Sequence, residues 1–170
     1  MAAVVQIHEM TTNATTGVNK TSGTVRFKSV ASTTSTAVDA SNPIVIPGAG
    51  SVYSYVKKLR LYMETAPGTN ITNLRWYTDG ANGFGTGVTA TAKNIGTTFG
   101  THYTTQMSGG ADLFGYTSGS PLDGDGTDTG PFTADDTYFG DIIELQLAVA
   151  STATNGALSA ETVTVAYDEI

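Results

Sequence analysis

A chain of 170 residues with a net charge of −7 and a pI near 4.5 suits one domain, and its acidity argues against a phosphate backbone as partner. Cysteine is absent, which excludes disulfides, thiolate metal sites and cysteine nucleophiles. Charged residues are only 14% of the chain, yet aromatic and β-branched residues are spread along it, which supplies a core and argues against disorder.

The elements follow in chain order. Met1-Ala2-Ala3 leads directly into residues 4–10, an expected strand, without the basic and apolar regions of a signal peptide. No apolar run reaches the ~20 residues of a membrane-spanning helix, so no membrane partner is expected. Residues 11–22 are polar and aperiodic. Residues 23–30, with Val25 and Phe27 inward, and 43–46 are further expected strands.

The clearest strand is 52–63. Leu59, Leu61 and Met63 alternate there with Lys58, Arg60 and Tyr62, so the first set faces a core. After a Pro67-Gly68 turn, Leu74 and Trp76 alternate with Arg75 and Tyr77 in 71–78. These two runs are expected to pair antiparallel. Weaker strands are expected at 88–93 and 102–105. Residues 108–136, rich in Gly, Ser, Pro and Asp, read as a long loop insertion.

Near the C-terminal end, Ile143, Leu145, Leu147 and Val149 form one apolar face, and Val163, Val165 and Tyr167 another. Asn155-Gly156 between them predicts a hairpin. The total of about eight to ten short strands predicts one all-β domain over 1–170. The expected form is an antiparallel two-sheet sandwich of jelly-roll kind with long irregular loops.

Asp123-Gly124-Asp125-Gly126-Thr127-Asp128 is the sharpest local motif. Carboxylates alternating on a glycine-rich loop can wrap calcium, which takes several oxygen ligands. The EF-hand pattern fails, because the twelfth position from Asp123 is Ala134. Calcium on Asp123, Asp125 and Asp128 is therefore weighed against an acidic solvated turn, and no other cofactor is expected.

Lys58, Arg60, Tyr62, Arg75 and Tyr77 share an outward face on the expected strand pair. Arginine and tyrosine are enriched in protein interfaces, so these five are interface candidates. The plain alternative is cross-strand pairing on a solvated sheet. A basic stripe on an acidic protein favours an acidic neighbour, another copy of the chain included.

His8 and His102 lack metal-ligand spacing. The Gly83-Phe84-Gly85-Thr86-Gly87 run precedes a strand-like segment, where a dinucleotide loop would open a helix. No residue is nominated as nucleophile or base, so an enzyme is not expected.

Two stretches within residues 55–80 carry a family resemblance. They are Tyr55-Val56-Lys57-Lys58-Leu59-Arg60-Leu61 and Ile71-Thr72-Asn73-Leu74-Arg75-Trp76-Tyr77-Thr78-Asp79-Gly80. This region resembles the β-sandwich virion proteins of tailed bacteriophages, and among those the head decoration, or capsid cement, proteins. The resemblance implies a virion structural protein on the outer capsid surface that bridges major capsid protein subunits. It also implies self-association, with a trimer as one form, and an arm or long loop reaching to neighbours, for which 1–21 is the candidate N-terminal arm and 108–136 the candidate loop. It carries no catalytic residues. The alternatives are a phage tail, neck or fibre module, and a carbohydrate-binding jelly-roll module using Trp76, Tyr77, Tyr53 and Tyr55.

Overall fold

The computed structural model describes residues 2–29, 42–156 and 158–170. Its strands are β1 (Val4–Asn13), β2 (Thr16–Asn19), β3 (Ser51–Tyr53), β4 (Lys57–Thr65), β5 (Ile71–Tyr77), β6 (Val88–Asn94), β7 (Ala111–Asp112), β8 (Leu122–Asp123), β9 (Thr137–Ala150) and β10 (Thr164–Glu169). One 3-10 turn spans Leu113–Gly115. All pairings are antiparallel, in two sheets. The larger runs β2-β1-β4-β9-β6-β7 with β3 also on β9, and the smaller runs β10-β5-β8.

Period-two alternation builds the interior. Leu59, Leu61 and Met63 of β4 and Phe139, Ile143, Leu145, Leu147 and Val149 of β9 join Ile71, Leu74 and Trp76 of β5 in one buried cluster. These positions are the expected inward set, extended by Phe139 and Ile71, and the all-β sandwich is the architecture found. β9 is the spine of the large sheet, because β3, β4 and β6 all pair with it.

A bulge in β9 preserves its phase. Leu59 opposes Ile143 and Leu61 opposes Phe139, so β9 spends four positions where β4 spends two. An even surplus leaves both apolar residues on the core face. Gly140 turns the chain here with φ +67. A Cβ on it would stand 2.5 Å from Leu74 Cδ1 and 2.9 Å from the Gly124 carbonyl oxygen, so the close approach of the two sheets requires glycine.

The strand partners differ from the expectation. The runs 52–63 and 71–78 do not pair: β4 lies between β1 and β9 in the large sheet, and β5 lies between β10 and β8 in the small one. Likewise β9 and β10 form no hairpin, because the loop through Asn155-Gly156 crosses from one sheet to the other. Alternation tells which face is apolar and not which strand lies alongside. The division into seven strands and three does not establish a jelly roll.

Residues 23–29, 43–46 and 102–105 are not strands, and Val30 of the first run lies outside the described residues. Val25, Phe27, Ile44 and Ile46 still pack against the core. The candidate arm 1–21 is, from Val4, a hairpin within the large sheet, with β1 paired along β4. Its polar run makes the turn, where Asn13 Oδ1 accepts the Thr15 N–H at 2.8 Å. Residues 108–136 are likewise tied down. β7 pairs with β6, β8 pairs with β5, and Phe132 bridges Ile71 and enters the core.

Candidate functional site

The outer face of the large sheet carries the polar chemistry, and one half of it is covered. Lys58 and Glu144 stand directly opposite on β4 and β9 and form an ion pair with Lys58 wholly buried. The segment 97–107 lies over them. Tyr103 O–H donates to Glu144 Oε2 at 2.9 Å, and the Lys58 ammonium lies 5.4 Å from the Phe99 ring centroid and 5.9 Å from that of Tyr103. The Gln146 carboxamide clamps the same segment. Its Nε2 donates to the Ser54 and Thr105 carbonyls, and its Oε1 accepts the Met107 N–H at 2.7 Å.

His102 belongs to this cover. It stacks on Tyr55 with ring centroids 4.9 Å apart. Burial first, and then the charges of Lys58 and Lys57, push its pKa down to about 4. The unfolded chain therefore binds the extra proton from about pH 6.5 downward, and the folded chain only near 4. Stability is expected to be complete above pH 6.5 and to fall as pH drops towards 4. The loss is about 1–2 kcal/mol once the screening of this half-buried ring is allowed for. Urea midpoints across that range measure it, and His102→Gln is expected to flatten the slope; a wild-type midpoint independent of pH there would refute this assignment.

The other half of the face is open. A hollow of about 580 Å3 is lined by His8, Thr15, Arg60, Tyr62, Asp136, Thr137 and Tyr138. Strand register brings these residues together, since His8 opposes Arg60, and Tyr62 opposes Tyr138. His8 stacks on Tyr62 at 4.8 Å, and Tyr138 meets both rings edge-on.

A chain of hydrogen bonds fixes the histidine tautomer. Glu64 can only accept, so the Gln6 Nε2 that reaches it at 2.6 Å must be the amide nitrogen. Gln6 Oε1 therefore faces His8 Nε2 at 2.8 Å, which makes Nε2 the protonated nitrogen. His8 Nδ1 then accepts from the Tyr138 hydroxyl at 2.9 Å. Burial lowers the His8 pKa, which favours this neutral form. Tyr62 O–H donates to Asp136 Oδ1 at 3.2 Å and closes the rim.

The five interface candidates separate. Lys58 is inside the cover, and Arg60 is also buried; its Nε donates to the Gly140 carbonyl at 2.9 Å and its Nη1 to the Ala14 carbonyl at 3.1 Å. These two are corrected from outward to enclosed, because a loop and the β1–β2 turn lie on top of them. Tyr62 keeps its place on the open face. Arg75 and Tyr77 stand half-buried on the outer side of the other sheet, so no common stripe exists. Arg75 Nη2 donates to Asp168 Oδ1 at 2.5 Å, and Asn73 donates to the other oxygen at 2.6 Å.

The acidic loop is divided too. Asp123 and Asp125 are neighbours, and burial, together with a hydrogen bond that the protonated Asp125 donates to Asp123, raises the Asp125 pKa. Asp128 instead faces Arg60 at 3.4 Å. Among the described residues, no group of three or more His, Asp or Glu side chains is arranged to hold a metal ion.

Enclosure changes the surface charge. Lys28, Lys57, Lys58 and Arg60 are buried, against Glu9, Asp141 and Glu144. Among the described residues, four cations and three anions are thereby withdrawn from the surface. The expected preference for an acidic neighbour rested on a basic stripe that the five interface candidates do not form. Sequence reasoning missed Tyr138, Asp136 and Gln6 as partners of Tyr62. The period-two phase of β9 extends back through Phe139 and would have placed Tyr138 outward. No family model, curated protein or solved structure matches the chain.

Proposed function

We propose that this chain is a structural protein of a bacteriophage virion that decorates the outer capsid surface and stabilises it by bridging major capsid protein subunits. The observation that carries this reading is the open hollow around Tyr62, Tyr138 and His8 on the sheet face, which Asp136 also lines. Aromatic rings with a polar rim are the composition of contact surfaces. Asp136 on this lining suits a basic side chain of a coat subunit. The sequence resemblance over 55–80 supports the same reading. Binding that exists only on the assembled shell stabilises it by mass action, and self-association, as a trimer for example, adds avidity.

The hollow also favours a second reading. A tyrosine face beside Arg60, Asp136 and Thr137 is chemistry that holds a sugar ring, so a carbohydrate-binding module is the alternative. Copy number, by quantitative mass spectrometry of purified particles, separates the readings. A count comparable to the major coat protein is the expected result. A handful of copies would mean a tail, neck or fibre part, and absence from particles would leave the carbohydrate reading.

A further inference from the structure

Lys58 and Glu144 are placed as reactants. They are direct cross-strand partners on the two central strands of the large sheet, so their side chains are held together without any loop motion. The side chains are 0% and 6% exposed, and the Phe99 and Tyr103 rings lie over the amine. The enclosure keeps the amine and the carboxyl group in contact and away from bulk solvent. Tyr103 contributes a third group, since its O–H donates to Glu144 Oε2.

We propose that Lys58 and Glu144 condense autocatalytically into an intramolecular amide cross-link between β4 and β9. Lys58 Nζ attacks Glu144 Cδ, the Nζ–Cδ bond forms, and the Cδ–Oε1 bond breaks. Two of the three ammonium hydrogens leave with Oε1 as one water molecule, and the third remains on the amide nitrogen. No redox change occurs and no co-reactant is needed. Oε2 becomes the amide oxygen, and the Tyr103 hydroxyl stabilises the negative charge that develops on it in the tetrahedral intermediate. Fixed orientation replaces activation. Effective molarities of about 10⁵–10⁸ M for well-aligned groups offset the unfavourable condensation of an amine with an acid in water.

The test is the intact mass of the full chain under denaturing conditions, followed by sequencing of protease fragments. The expected result is a mass lower by one water molecule and a branched fragment that joins Lys58 to Glu144. Lys58→Arg is expected to restore the full mass. Tyr103→Phe is expected to slow closure by about 10²–10³-fold, as for loss of one oxyanion donor, followed as the water loss after refolding. A wild-type chain with its full mass, both fresh and aged, would overturn the proposal and leave a buried ion pair. A water loss that maps elsewhere in the chain would overturn it equally. Because the wild-type mass decides, a variant that fails to fold does not blunt the test.

Discussion

Asp141→Ala is expected to lower the unfolding free energy by about 3 kcal/mol or more, because three donors would lose their acceptor together. Asp141 is 1% exposed at the bulge of β9. Its Oδ2 accepts from Asn94 Nδ2 at 2.8 Å and from the Thr127 N–H at 2.9 Å, and its Oδ1 accepts from the Asp128 N–H at 2.9 Å. The one carboxylate thus fixes the 124–128 loop against the end of β6. Asp141→Asn keeps the volume but supplies one acceptor atom where two are used, so it is expected to be only partly milder. Urea midpoints at unchanged slope measure both. A loss below about 1 kcal/mol for the alanine variant would mean that solvent enters and replaces the bonds.

The second large effect is expected at Glu9. Its Oε1 accepts from Lys57 Nζ at 2.6 Å, its Oε2 lies 3.8 Å from Lys20 Nζ, and the Glu9 and Lys57 side chains are 3% exposed. Removing one partner of a buried ion pair typically costs about 3–5 kcal/mol, because the remaining charge stays desolvated. Glu9→Ala is expected to fall in that range. The double variant Glu9→Leu with Lys57→Met is expected to recover part of the loss, since apolar side chains fill the same space without the desolvation cost. If the double variant is as unstable as the sum of the singles, the pair is not the source of the effect.

The sequence made the apolar faces legible and the neighbours illegible. Leu59, Leu61, Met63, Leu74, Trp76 and the odd-numbered apolar residues of β9 could be assigned inward because a strand exposes alternate side chains to opposite faces. That pattern is blind to pairing. β4 and β5 follow each other in the chain yet lie in different sheets, and the same holds for β9 and β10. The charged residues opposite the apolar set were expected in water for the same reason. Lys58 and Arg60 are instead enclosed by residues 97–107 and by the turn at Ala14, and both covers are aperiodic. The aromatic hollow needs His8, Tyr62 and Tyr138, which are remote in sequence and meet only through the register of β1, β4 and β9.

The strand order also constrains how the molecule can be made. β5 has β10 on one side and β8 on the other, and the core face of β5 packs against β9. A ribosome releases these segments in order. The hairpin of β1 and β2 can settle on β4 early, because all three emerge together. Ile71, Leu74 and Trp76 must wait with their apolar face uncovered until β9 supplies the opposite wall and β10 supplies the last edge. Completion is therefore a late, cooperative event dominated by non-local pairing, and the interval before it is when a nascent chain of this kind is most exposed to aggregation and most in need of a chaperone.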